Sequence, residues 1–295
     1  MPTKEKFSLF HFINYAVFAL ITLICLFPFY YLFINTISNN DLSSRGLVMF
    51  YPKGIHFTNY MDVFKIPGLG QAALMSVGRT VIGTVLTVAA SAFLGYLFTK
   101  QMWGRKFWYR FLVITMYFNA GLIPWYLTML NLGLTNNFAA YVLPFIVQPF
   151  FIILVKTFVE STPIALQESA QIDGAGYFKV FTSIILPLIT PILATIAIFS
   201  SVTQWNSFTD TLFLVTDQKL FTLQFILYRY MNEATSIAQL MKQSTGAMDL
   251  DLANMATPTS IRTTVSMVVV LPILLVYPFF QRFFVKGIMI GAVKG

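Results

Sequence analysis

The segment ESAQIDGAGYFKVFTSIILP, residues 168–187, gathers the groups that invite a chemical reading. It has carboxylates at Glu168 and Asp173, a hydroxyl at Ser169, and the small residues Ala170, Gly174 and Gly176. Catalysis is a poor fit. His11 and His56 are the only histidines, Cys25 is the only cysteine, and neither a Ser–His–Asp nor a Cys–His set can be assembled. A His-rich metal site is excluded on the same count, and no GxxxxGK[ST] run is present to cradle a nucleotide phosphate. What the segment offers instead is recognition, because small side chains let a partner backbone approach closely.

The elements that must hold this segment are apolar. Of the 295 residues, 57% are hydrophobic and only 10% are charged, with a mean hydropathy of +0.73. A soluble chain carries roughly 25% charged residues. Runs free of Asp, Glu, Lys and Arg extend over 12–40, 80–99, 111–155, 180–209 and 263–281. A hydrocarbon core of about 30 Å takes about 20 apolar residues as a helix, so the third run is too long for one crossing. NLGLTNN (131–137) divides it. The pattern predicts an all-α, polytopic membrane protein with six transmembrane helices, near 12–37, 72–99, 109–130, 138–157, 183–205 and 263–285. The first run exceeds the 7–15 apolar residues of a signal peptide and reads as a retained span. Cys25 lies within it and reads as a packing residue.

Basic residues set the orientation, since Lys and Arg concentrate in short cytoplasmic loops. KQMWGRKFWYR (100–110) holds Lys100, Arg105, Lys106 and Arg110, whereas 131–137 holds no basic residue. Lys4, Lys6, Arg282, Lys286 and Lys294 place both termini on the side of 100–110, as an even number of spans requires. Both termini are therefore expected in the cytoplasm, with Trp103, Trp108 and Tyr109 as an inner aromatic belt. The formal charge of +8 reflects this topology and not a nucleic-acid surface. Two outer loops are long, 38–71 and 206–262. The first carries the turn signals YPKG (51–54) and IPGLG (66–70), the second an amphipathic patch at 225–243 that includes Phe225, Leu227, Tyr228 and Met231. One membrane domain with an elaborated outer face is expected.

This topology puts 158–182 in the cytoplasm. STPIALQESAQID begins like a helix, with Ser161 or Thr162 as N-cap and Pro163 at the first helical position. Gly174 and Gly176 are expected to end it, after about three turns, in the left-handed cap conformation. Ala165, Ser169, Ile172 and Ala170 give a face of small and apolar groups, and Asp173 sits where the helix macrodipole disfavours an anion. On physics alone the segment fits two roles: a partner-docking helix, or an inner loop packed under its own spans.

The spacing resembles the EAA signature of ABC-importer permeases, E-A-A, three residues, G, nine residues, I-x-L-P. Here Glu168, Ser169 and Ala170 are followed by Gly174, and then by Ile184, Leu186 and Pro187, with Ser169 the one departure from the commonest pattern. Nearly the whole chain is similar to the smaller permease subunit of maltose-transporter-type importers, and within that class to permeases importing complex or acidic oligosaccharides such as alginate or pectin fragments. The resemblance implies that 163–174, within a coupling segment 160–187, sits in a cleft of an ATP-binding subunit. There Glu168 and Asp173 would meet basic groups and Gly174 would let the chain turn back. It implies a tail, FFVKGIMIGAVKG, reaching the ATPase through Gly291, Val293, Lys294 and Gly295. It further implies a second permease chain as heterodimer partner, two ATP-binding subunits, an extracytoplasmic solute-binding protein docking on loop 206–262, and no cofactor in this chain, ATP and Mg belonging to the ATPase. Location in a bacterial inner membrane follows. The EAA pattern alone also fits permeases for other cargo, such as amino acids or peptides.

Carboxylates are missing from the middle of every expected span, which weighs against an ion-coupled secondary carrier. Polar and aromatic groups near helix breaks are candidates for a sugar path: Asn119, Trp125 and Tyr126 in NAGLIPWY, Gln148 beside Pro149, and Gln204, Trp205 and Asn206 in TQWNSF. Each has an ordinary alternative in packing between helices. Arg79, at the outer start of the second span, could attract an acidic sugar but is expected to snorkel to headgroups.

Overall fold

The computed structural model describes residues 9–232 and 258–287. The regular elements among them are all helical. They are α1 (Leu9–Thr36), α2 (Asn40–Ser44), α3 (Thr58–Phe64), α4 (Leu69–Leu97), α5 (Arg105–Tyr117), α6 (Leu122–Asn131), α7 (Ala139–Val142) and α8 (Pro149–Glu160). There follow α9 (Ala165–Ile172), α10 (Tyr177–Val180), α11 (Leu186–Leu188), α12 (Thr190–Asn206) and α13 (Thr209–Leu214). Residues 223–232 form α14, and α15 is Pro258–Gly287. The tail residues Gly291, Val293, Lys294 and Gly295, and the 225–243 patch beyond residue 232, lie outside the described residues. The chain divides into two compact units, residues 1–66 with 229–270 and residues 67–228 with 271–295.

In the first unit α1 is apolar on every side and buries only Ile34, Asn35 and Thr36 at its end, the pattern of a helix facing lipid or a partner. The outer loop that follows is folded by buried amides. Asn35 Oδ1 accepts the Ser43 hydroxyl at 2.7 Å, and Asn59 Nδ2 donates to Thr36 O and Asn40 Oδ1, both at 2.9 Å. Asn39 caps α2 by accepting from the N–H groups of Asp41 and Leu42. Both expected turns are present, with positive φ at Gly54 and Gly68.

The second unit is organised by α4. Its buried positions include Ala72, Ser76, Gly83, Thr87, Ser91 and Gly95, spaced so that small groups run along one side. Its most extensive packing is against α12 and α8. At Gly95 the approach is so close that a Cβ would lie 2.6 Å from Val155 Cβ. Below this contact, Ala92, Tyr96, Val155, Val159, Val180, Ile185 and Ile189 form one apolar core. A second core joins Met129, Tyr141, Val142 and Leu214.

Among the described residues two helices, α1 and α4, are long and apolar enough to cross a membrane unaided. Three further segments reach that length only as bent pairs, α5 with α6 at 120°, α7 with α8 at 45°, and α10–α11 with α12 at 77°. The uninterrupted spans expected at 109–130, 138–157 and 183–205 are therefore broken, and the last begins earlier, at Tyr177. The causes are local. Asn119 Oδ1 accepts the Gly121 N–H at 2.9 Å, closing a turn between α5 and α6. Pro149 has no N–H for the carbonyl of Phe145, and the Thr87 hydroxyl donates to that carbonyl at 3.0 Å instead. Pro191 likewise leaves Pro187 O unserved, and the Thr190 hydroxyl takes it at 2.9 Å. A π-helical turn, Phe181–Ile185, precedes Pro187. Within α15, Thr259–Leu275 is the shorter apolar stretch.

The Gly95 contact makes a discriminating pair of variants. Gly95→Ala forces α4 and α8 apart, and a loss of about 1–3 kcal/mol is expected, read as a lower melting temperature in detergent. Gly70→Ala, in the same helix with nothing within 4 Å of the new methyl, should be neutral or stabilising by up to about 1 kcal/mol. Equal melting temperatures for the two variants would show that the close approach does not matter.

Candidate functional site

Residues 161–176 build a short helix bounded by two different stops. The Ser161 and Thr162 hydroxyls donate back to Phe158 O at 2.7 Å and Val159 O at 2.6 Å. They close α8 and do not cap the next helix. The reason is reach, since the orphan carbonyls at the end of α8 lie within one turn of both hydroxyls. Pro163 stands before the helix, and α9 spans eight residues, about two turns and not three. Gly174 ends it at φ 81. Its N–H donates to Gln171 O at 3.0 Å and that of Ala175 to Ala170 O at 2.9 Å, the paired bonds of a Schellman motif. Gly176 is not a second stop; its backbone is extended and leads into α10.

Ala165, Glu168, Ser169, Ile172 and Asp173 are exposed, Ile172 by 86%. Ala170 is not on this open side, because it packs against the apolar core around Tyr96 and Val180. Glu168 and Asp173 form no ion pair among the described residues. Gln167 is buried, and its Oε1 accepts a hydrogen bond from Lys100 Nζ. The ammonium also lies 4.7 Å from the Tyr96 ring centroid and 5.8 Å from that of Tyr177. Burial lowers the Lys100 pKa from the ordinary lysine value. Sequence reasoning counted Lys100 only as a topology charge, and no local pattern marks its partner.

The seven path candidates are spread over the α5–α6 turn, α6, the residue before α8 and the end of α12. Asn119 is exposed and spends its Oδ1 on the turn before α6. Trp125 and Tyr126 are half-buried against the core around Met129 and Tyr141. Gln148 is half-buried ahead of α8. Trp205 is half-buried at the end of α12, and Asn206 is exposed with its Nδ2 donating to Val202 O at 3.0 Å. Gln204 is 2% exposed and faces α4, held by Arg79.

Arg79 overturns both expectations made for it. It is fully buried, so it neither snorkels nor stands open to an acidic sugar. Nε and Nη2 donate to Gln204 Oε1 at 3.2 and 3.1 Å. Nη1 and Nη2 grip the Asp210 carboxylate at 3.0 and 2.5 Å, and Nη1 also donates to Ser207 O at 3.3 Å. All five N–H groups thus have acceptors, and the guanidinium carbon lies 4.6 Å from the Tyr141 ring centroid. Tyr141 in turn donates to Leu220 O at 2.7 Å. The start of loop 206–262 is accordingly an ordered structure clamped on α4. Ser76 Oγ accepts the Leu223 N–H at 2.9 Å where α14 starts, and Phe225 and Leu227 of the amphipathic patch are buried. The Asp210 carboxylate escaped sequence reasoning because it lies far along the chain from Arg79, outside the expected spans.

Breaking a buried pair by removing one partner costs about 3–5 kcal/mol. Arg79→Met is expected to cut the yield of monodisperse protein sharply, and Arg79→Met with Asp210→Leu to recover most of it. A single variant as stable as the parent would show that the pair does not hold the loop.

Comparison with known proteins extends this geometry. Residues 87–290 match the family of binding-protein-dependent transport system inner membrane components. The chain is 31% identical to the polygalacturonan/rhamnogalacturonan transport system permease protein YtcP of Bacillus subtilis (strain 168), across 98% of this chain and all of that one. It is 28% identical to the arabinooligosaccharides transport system permease protein AraQ of Halalkalibacterium halodurans, across 94% of each. A chain of the crystal structure of a bacterial ABC transporter that imports the acidic polysaccharide alginate superposes with a TM-score of 0.80 at 26% identity, covering 96% of this chain and 100% of that one. A helical membrane chain with a capped polar helix beside an apolar core, matched over residues 87–290, belongs to the binding-protein-dependent transport system inner membrane component family.

Proposed function

We propose that the chain is a permease subunit of an ATP-driven importer that moves oligosaccharides, acidic ones in particular, across a bacterial cytoplasmic membrane. The observation that carries this reading is the likeness over almost the full chain to YtcP, whose name gives polygalacturonan and rhamnogalacturonan as cargo. The fold shared with a chain of the alginate importer points the same way. In this reading the protein crosses the bilayer six times, through α1, α4, α5–α6, α7–α8, α10–α12 and α15, with both termini cytoplasmic. It catalyses nothing itself. Two ATP-binding subunits supply the ATP and Mg chemistry, a second permease chain completes the pore, and an extracytoplasmic binding protein delivers the sugar.

The chain's own residues have mechanical roles. α9 is the coupling helix, offering Glu168, Ser169, Asp173 and the bare apolar surface of Ile172 to a cleft of the ATPase. Ala170 anchors its other side, and Gly174 turns the chain back toward the membrane. The tail at Gly291, Val293, Lys294 and Gly295 reaches the same ATPase, and residues 234–256 meet the binding protein. Asn119, Trp125, Tyr126, Gln148, Trp205 and Asn206 are the path candidates that stay in play, with rings for sugar C–H faces and amides for hydroxyls. Gln204 belongs to the same set through its amide nitrogen, its carbonyl being held by Arg79.

Cargo is tested in the reconstituted importer with its binding protein. Oligogalacturonides are expected to stimulate ATP hydrolysis and to be taken up, and neutral arabino-oligosaccharides to do so weakly. Stimulation by amino acids or peptides and not by any oligosaccharide would replace the cargo assignment.

The coupling role is tested at Gly174. No atom crowds a side chain there, so a substitution is penalised only by its positive φ. Asn tolerates that conformation, Ala less, and a β-branched residue least. Uptake per ATP should therefore fall in the order Gly, Asn, Ala, Val while membrane insertion persists. Normal uptake by Gly174→Val would defeat the assignment.

A further inference from the structure

α9 has little to hold it. Within this helix only Gln167 is buried, Ala170 makes a shallow contact with the core, and the rest of the surface is open. A helix that must pass a push from another subunit into the membrane needs a stiffer mount than one alanine. The structure supplies it at the cytoplasmic end of α4. Lys100 follows the last turn of α4, its N–H donating to Leu97 O at 3.0 Å. Its Nζ donates to Gln167 Oε1 and lies near the Tyr96 ring of α4 and the Tyr177 ring of α10. The Tyr96 hydroxyl donates to Tyr177 O at 3.3 Å, and its ring stacks on Phe181 at 5.2 Å. One ammonium group therefore ties together α4, α9 and α10.

We infer that Lys100 is a positioning residue that fixes α9 to the end of α4, so that displacement of α9 moves α4 instead of being taken up by the flanking turns. This inference rests on reading α9 as the coupling helix. The chemistry suits the task. A carboxylate at 167 would neutralise Lys100 and weaken its hold on the two rings, whereas an amide oxygen orients the ammonium and leaves its charge for the π faces. Glu168 and Asp173 point away into solvent, so they do not compete for it. A charge-assisted hydrogen bond between two half-buried groups is directional and stronger than a neutral one.

The test uses the complete importer, reconstituted with its ATP-binding subunits and binding protein, and reads sugar taken up per ATP hydrolysed. Lys100→Met and Gln167→Leu are each expected to lower that ratio by roughly tenfold, the factor corresponding to loss of a charged hydrogen bond. Lys100→Arg, which keeps a donor and a cation over the rings, should restore most of it. The double variant should be no worse than either single one, since both remove the same interaction. An unchanged ratio in both single variants, a Lys100→Arg ratio as low as that of Lys100→Met, or additive losses in the double variant would each overturn the inference. If Lys100→Met does not assemble, Gln167→Leu and Lys100→Arg carry the comparison alone. The underlying reading of α9 fails by a separate signal. Ser169→Cys in a Cys25→Ser background should lose maleimide reactivity when the ATP-binding subunits are present. Full reactivity in the assembled importer would refute the docking of α9, whatever Lys100 does.

Discussion

Helices inside a bilayer gain nothing from the hydrophobic effect when they touch each other, because lipid tails are as apolar as their side chains. What remains is close packing and hydrogen bonding, and both require backbones that can come near. The spacing of Ala72, Ser76, Gly83, Thr87, Ser91 and Gly95 gives α4 one side where they can. α8 and α12 occupy that side, and the two cores of the larger unit form beside it. The small residues of α4 are also its polar ones. Thr87 serves the carbonyl that Pro149 leaves open, and Ser76 serves the first N–H of α14. One helix side thus provides both the closeness and the hydrogen bonds that make broken neighbours tolerable.

The same side carries Arg79, and its surroundings show how a cation is kept in such a place. A buried charge is tolerable only when paired and hydrogen-bonded. The five N–H groups of Arg79 are met by one carboxylate, one amide and one backbone carbonyl, with an aromatic ring stacked on the plane. A lysine could not do this, because its donors radiate from one point and cannot fork. The network fastens residues 207–220, which follow α12 in the chain, to a helix that precedes them by more than a hundred residues. It converts the start of a long connection into part of the scaffold.

How much of this was legible in the sequence depends on the range of the interaction. The apolar runs located α1, α4 and α15 to within a few residues, because burial in hydrocarbon is a property of the run itself. The cap at Gly174 was legible because positive φ is a single-residue demand. The start of α9 was misread for a physical reason: Ser161 and Thr162 have two helix ends within reach, and the carbonyls of α8 are nearer than the N–H groups of α9. Helix breaks were marked by proline and glycine, but the hydroxyls that heal them, Thr87 and Thr190, carry no signal of their own. Arg79 was misjudged because its partner, Asp210, sits in a segment that reads as loop. The bond from Lys100 to Gln167 was not legible because a positive charge at the end of an apolar run already has a sufficient explanation in topology.

These two cations mark two points on one rod, Arg79 ten residues inside α4 and Lys100 three residues past its end. At 1.5 Å per residue, Arg79 and Lys100 stand about 30 Å apart along α4, the thickness of a hydrocarbon core. Two charges that far apart can both avoid the centre of an apolar layer of that thickness, where an ionisable group is most costly. Between them the helix presents mostly small and apolar groups to its neighbours, with the Thr87 hydroxyl and the Tyr96 ring as the exceptions, so sliding or tilting there disturbs packing and hydrogen bonds but breaks no ion pair. The helix is fastened at these two points, to the segment after α12 by Arg79 and to α9 by Lys100. A continuous helix fastened at two such points meets a load on either as one body. That stiffness follows from where two cations and a row of small residues fall along α4.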